Sequence, residues 1–183
     1  AADQVPFASY MAAVQRARTS ADGWFGIKLQ PAQLAAFAPG DRALFDFAAS
    51  FERIVVLSRR DKLGQAISGT LAQLTGTWFN DGTPASIDRS RWPQLFPAIA
   101  ANLARYIEED RRLAALGKAL ARPWLRIEYE EIVSDGQAAF EQLVDFLSVD
   151  EPVILEEAAD VAVPKRPPVE ISEALRTRFL QYI

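Results

Sequence analysis

The hydrophobic pattern is most informative over Ile54–Ser68, IVVLSRRDKLGQAIS. Ile54-Val55-Val56-Leu57 is an unbroken β-branched and aliphatic run, the pattern of a strand buried on both faces of a parallel sheet. The polar residues Ser58 to Lys62 follow at once, and Leu63, Ala66, Ile67, Leu71 and Leu74 then recur at three- and four-residue steps. A strand therefore hands over directly to an amphipathic helix, with Arg59 and Arg60 at the turn. In open α/β sheets ligands bind at the carboxyl ends of the strands, where a helix N-terminus offers N–H groups to an anion. Ser68, about two turns into the helix, reaches such an anion only along the helix flank. The plainer alternative is that both arginines are solvated charges following a buried strand.

The same periodicities predict the other elements. Phe7–Arg18 reads as a helix, broken at Asp22-Gly23, and Trp24–Leu29 (WFGIKL) reads as a short strand carrying Lys28 and ended by Gln30-Pro31. Pro31–Phe51 reads as two scaffold helices. Ala98–Lys118 reads as a long helix with Ile99, Leu103, Tyr106, Ile107 and Leu113 inward and Arg105/Glu109 and Glu108/Arg112 paired on its wet side. A second strand, Trp124–Glu128, runs into Tyr129-Glu130-Glu131, whose carboxylates suit the N-terminus of the next helix. The capping-box spacing Ser134 to Gln137 then opens a helix with Phe140, Leu143, Val144 and Leu147 on one face. A final helix places Ile171, Leu175, Phe179 and Tyr182 inward. Two βα units predict an α/β fold, a parallel sheet of about three to five strands flanked by helices, in one domain spanning residues 1–183.

Between these elements, Thr75–Pro97 is a long loop in which Trp78, Phe79, Trp92 and Phe96 are interleaved with Asn, Asp, Arg and Ser. Loops of this length inside a domain are often binding segments. The rings and polar groups suit a sugar, or alternatively a homodimer contact. A Pro-rich turn, Pro164–Pro168, carries Lys165 and Arg166 and reads by itself as a solvated basic turn.

Composition narrows the chemistry. The chain has no cysteine and no histidine, which excludes disulfides, thiolate catalysis, every triad built on histidine and most transition-metal sites, so no metal is expected. A formal charge of −4 gives no general attraction to nucleic acid or to an anionic membrane, so any anion site is local. No run of apolar residues is long enough for a membrane span, and a cytoplasmic protein is expected.

The segment SRRDKLGQAIS resembles the 3′-phosphate-binding segment of sulfotransferases that use 3′-phosphoadenosine-5′-phosphosulfate, where an arginine and a serine eight or nine positions later hold the 3′-phosphate. Arg60 and Arg59 stand eight and nine residues before Ser68. The RRDK…QA-aliphatic-S wording is closest to the bacterial trehalose-type enzymes, whose arginine matches Arg59. IEYEEIVSDGQAAFEQLVDFLSV is similar to the family's late segment, in which a tyrosine lies near the adenine, and this makes Tyr129 the corresponding residue.

The resemblance also implies that Lys28 is the catalytic lysine beside the transferring sulfuryl group, that Trp78 contacts the acceptor, and that Arg166 or Lys165 returns to the nucleotide. Gln30 occupies the position of the catalytic histidine in the cytosolic animal enzymes. The implied fold is the sulfotransferase version of the P-loop nucleotide-binding fold. The segment shown matches that family from its second third onward, with no RSGST-type or GxxxxGK[ST] loop, so an upstream 5′-phosphosulfate loop is expected. The implied function is sulfuryl transfer to a hydroxyl acceptor, a carbohydrate being the class suggested. The alternative is a non-catalytic nucleotide- or sugar-binding domain on the same scaffold.

Overall fold

The structure, a computed structural model, describes residues 7–33, 40–76, 88–148 and 169–183. The chain divides into two compact units, residues 1–51 and 52–183. In the first, α1 (Phe7–Arg18) buries Met11, and α2 (Asp41–Ala49) leads into a phenylalanine cluster. Phe51 stacks on Phe25 at 6.4 Å and meets Phe47 edge-on at 5.2 Å. The strand expected at Trp24–Leu29 does not form. The segment has no ladder pairing, Trp24 and Ile27 are exposed, and its fixed points are a turn in which Trp24 N–H donates to the Ser20 hydroxyl and the Phe25 ring contact.

In the second unit the order is β1 (Ile54–Ser58), α3 (Lys62–Thr75), a 3-10 helix (Arg89–Leu95), α4 (Phe96–Ala119), β2 (Trp124–Glu128), α5 (Tyr129–Ser134), α6 (Gly136–Leu147) and α7 (Val169–Leu180). Among the described residues the sheet has two strands, paired in parallel from Ile54↔Trp124 to Ser58↔Glu128, rather than the three to five expected. Parallel neighbours need a long crossover, and α3 and α4 supply it. The unbroken apolar run of β1 also misled on burial. Val56 and Ser58 are buried, whereas Val55 and Leu57 are 40% and 54% exposed, so one face of the strand is uncovered.

Helical periodicity fared better. Ala66, Ile67 and Leu71 of α3 join Trp92, Phe96 and Ile99 from the 3-10 helix and α4, and Leu175 and Phe179 from α7, in one core cluster. Leu74 and Ile107, at the edges of their stripes, are exposed. A buried polar clamp accompanies this core: Asn102 Nδ2 donates to Thr70 Oγ1 at 2.9 Å and to Gln73 Oε1 at 3.3 Å, and Thr70 donates in turn to the Ala66 carbonyl. Arg105/Glu109 and Glu108/Arg112 pair as their spacing requires, at 3.3 and 3.1 Å. No helix among the described residues is long and apolar enough to cross a membrane.

The caps differ from expectation in one place. The capping box joins Glu128 and Glu131 at the start of α5, and α6 is capped by Asp135, which accepts from Ala138 N–H, so Ser134 does not cap it. A carboxylate immediately before Gly136 outcompetes a serine one residue further out.

Candidate functional site

Both strands end at the same rim. Ser58 and Glu128 are the last ladder pair, and the Ser58 hydroxyl donates to Glu128 Oε2, which ties the two strand ends together. Arg126 Nε donates to the other Glu128 oxygen at 2.7 Å, and Arg126 also reaches Asp110 at 3.1 Å. Lys62 Nζ meets the same Asp110 at 2.8 Å, which fastens the first turn of α3 to α4. Burial raises the Glu128 carboxyl, but the bonds from Ser58 and Arg126 outweigh it and leave the group below its ordinary value.

The β1–α3 turn is held from two sides. Asp61 is the N-cap of α3, accepting Gly64 N–H at 2.9 Å, and its other oxygen takes the Arg176 guanidinium from α7. Glu130, from the first turn of α5, reaches across and accepts Arg60 N–H at 3.0 Å and Asp61 N–H at 3.1 Å. A carboxylate thus occupies the two amides that the strand-to-helix turn would otherwise present to an anion. Burial again pushes Glu130 up, while these amides and the charge of Arg59 overcome it and hold the carboxyl below its ordinary value.

The two candidate arginines part company here. Arg59 is folded inward, with its side chain 19% exposed and its guanidinium carbon 5.0 Å from the centroid of the Tyr129 ring. Its Nε is buried and hydrogen-bonds no described residue, with Glu130 Oε1 3.9 Å away. Arg60 points outward, 62% exposed and 3.7 Å from Glu131. The structure therefore brings together Arg59 and Tyr129, two residues of distant segments that the sequence singled out separately. Ser68 is half-buried on α3 beside the fully buried Ile67, about 9 Å along the axis from Lys62. Lys28 belongs to the first unit and is exposed. Trp78 and Arg166 lie outside the described residues.

The sequence of one family covers this arrangement: the model of the Stf0 sulphotransferases matches residues 2–166, which include β1, α3 and β2. The chain belongs to the Stf0 sulphotransferase family. No curated protein and no solved structure matches it. In this sulphotransferase the Arg59–Tyr129 contact joins the segment that resembles a 3′-phosphate site to the segment that resembles an adenine site.

Sequence reasoning missed Asp61, Arg176 and the crossing reach of Glu130. Asp61 had a legible signal, a carboxylate directly ahead of an apolar-periodic helix. Arg176 had none, since it is an isolated arginine 115 residues from its partner. Glu131, as expected, serves the helix that it begins, whereas Glu130 serves the neighbouring turn.

Proposed function

We propose that this sulphotransferase moves a sulfuryl group from 3′-phosphoadenosine-5′-phosphosulfate to a hydroxyl, with a carbohydrate as acceptor class. The observation that carries the donor assignment is the buried Arg59 Nε without a partner among the described residues, on a guanidinium already packed over Tyr129. A guanidinium so placed has donors left for phosphate oxygens in a fixed fork, and an aromatic ring beside it offers a stacking face to a base. In this reading Arg59 and Ser68 hold the 3′-phosphate and Tyr129 borders the adenine. Arg60 serves as an outer charge, and Arg166 is the further cation that the family resemblance assigns to the nucleotide.

The donor supplies a labile sulfuryl–phosphate bond. Its bridging S–O bond breaks and the electron pair leaves with adenosine 3′,5′-bisphosphate, while the acceptor oxygen bonds to sulfur and gives up its proton to water. Lys28 contributes a positive charge to the departing oxygens, and Trp78 presents a ring to the acceptor. Transfer of this kind depends on positioning and charge stabilisation, which suits a chain without histidine or cysteine.

Calorimetric titration with adenosine 3′,5′-bisphosphate tests the reading. Binding by the unaltered protein, weakened about tenfold or more in Arg59→Ala and in Ser68→Ala and less in Arg60→Ala, supports it. Binding indifferent to all three substitutions removes the assignment. Trp78→Ala is expected to lose acceptor affinity while keeping the nucleotide's.

A further inference from the structure

A recess lined by none of the strand-end residues opens between the 3-10 helix, the start of α4 and the C-terminal end of α7. It is a half-open hollow of about 900 Å³ lined by Arg89, Ser90, Phe96, Arg178, Gln181 and Tyr182 among others. That volume is in the range of sites for small organic ligands.

Three features of its wall point to a ligand class. The first is charge: the described lining carries two arginines and no carboxylate, in a chain with 24 acidic and 20 basic residues. Neither Arg89 nor Arg178 has an ion pair with a described residue, unlike Arg59, Arg60, Lys62, Arg126 and Arg176 at the strand ends. The second is an aromatic floor. Phe96 lies 5.0 Å from Tyr182 and 5.8 Å from Phe179, and Tyr182 remains 57% exposed, so a ring face is presented to solvent. The third is an unused donor. Trp92, which also lines the recess and is 5% exposed, has its indole N–H buried without an acceptor among the described residues, and Arg89 covers its ring at 5.6 Å. That N–H is closed to solvent in this structure, so an acceptor oxygen reaches it only if the recess wall shifts, and a shift that pairs it relieves the cost of an unpaired buried donor.

We propose that this recess binds an aryl oxyanion ester, a sulfate or phosphate monoester of an aromatic ring. Arg89 and Arg178 take the ester oxygens by charge-assisted hydrogen bonds, and the exposed face of Tyr182 takes the ring. The site is separate from the Arg59–Tyr129 rim and does not depend on the donor assignment.

Calorimetry with para-nitrophenyl sulfate, para-nitrophenyl phosphate, inorganic sulfate and para-nitrophenol separates the parts. The site predicts that at least one of the two esters binds about tenfold or more tighter than either inorganic sulfate or the phenol alone, and the tighter ester identifies the preferred oxyanion. Arg178→Ala and Arg89→Ala are each expected to weaken that ester about tenfold or more while leaving the affinity for adenosine 3′,5′-bisphosphate unchanged. Both side chains are exposed, and an unchanged thermal midpoint shows that the variants fold. Inorganic sulfate binding as well as the esters, ester binding unmoved by both substitutions, or loss of the nucleotide in Arg178→Ala would each overturn the proposal.

Discussion

Arg59 and Arg60 are adjacent in the chain and chemically identical, yet in the turn that follows β1 only Arg59 is drawn against Tyr129, while Arg60 faces outward beside Glu131. The spacing to Ser68 could not choose between them, and the packing partner does. Glu130 is the residue whose role the sequence concealed, since its partners are amides 69 and 70 positions away. Removing its carboxylate leaves two N–H groups of the turn unpaired and loosens the segment that carries Arg59. Glu130→Ala is therefore expected to cost about 1–3 kcal/mol in urea unfolding, with Glu130→Gln costing less because an amide oxygen still accepts.

Acid should act on the same residues. Asp61, Glu128 and Glu130 are all held below their ordinary carboxyl values, for Asp61 because the Arg176 and Gly64 bonds outweigh the upward push of burial. A depressed folded-state value means that the unfolded chain takes up more protons. The stabilisation is therefore complete above the ordinary carboxylate range, about pH 4, and is lost as pH falls through the folded-state values. Urea midpoints should fall below about pH 4.5 and fall less steeply in Asp61→Asn. A midpoint independent of pH in that interval would contradict the ion-pair geometry.

At the scale of elements, periodicity found the helices because each stripe is buried against another helix, as Ile67, Ile99 and Phe179 are. Strands were harder. The run Ile54–Leu57 predicts burial on both faces, but among the described residues only Val56 and Ser58 are covered, and a run of apolar residues cannot state what lies over it. Trp24–Leu29 has strand composition but no ladder partner, and β structure depends on its partner more than on propensity.

Helix packing yields a substitution that propensity alone gets backwards. Gly117 lies inside α4, where alanine normally stabilises, but a Cβ there would stand 2.9 Å from Cε2 of Trp124 at the start of β2. The rigid indole cannot give way cheaply. Gly117→Ala should destabilise by about 1–3 kcal/mol, measured by urea unfolding, and a stabilised variant would show that α4 and β2 are not packed as described. Asp61→Ala, which removes the α3 cap, should cost about 1 kcal/mol by the same measurement.

On the scale of the molecule, family membership was legible in two short phrases, the arginine–serine spacing after β1 and the tyrosine after β2, and the fold brings Arg59 and Tyr129 to one rim. The ion-pair state of that rim was not legible, because the partners Asp110, Arg126 and Arg176 come from three other elements. Among the described residues, Arg59, Arg60, Lys62, Arg126 and Arg176 at the strand ends each already face a carboxylate. On the proposed function, phosphate affinity would depend on the donors that these pairs leave over, of which Arg59 Nε is the buried one among the described residues.

The measurement that tests the central claim most directly is a cycle of four calorimetric titrations, adenosine 3′,5′-bisphosphate and adenosine 5′-phosphate against the unaltered protein and Arg59→Ala. If Arg59 holds the 3′-phosphate, the bisphosphate's advantage over the monophosphate is present in the unaltered protein and shrinks about tenfold or more in the variant. An advantage of equal size in both proteins would contradict the account.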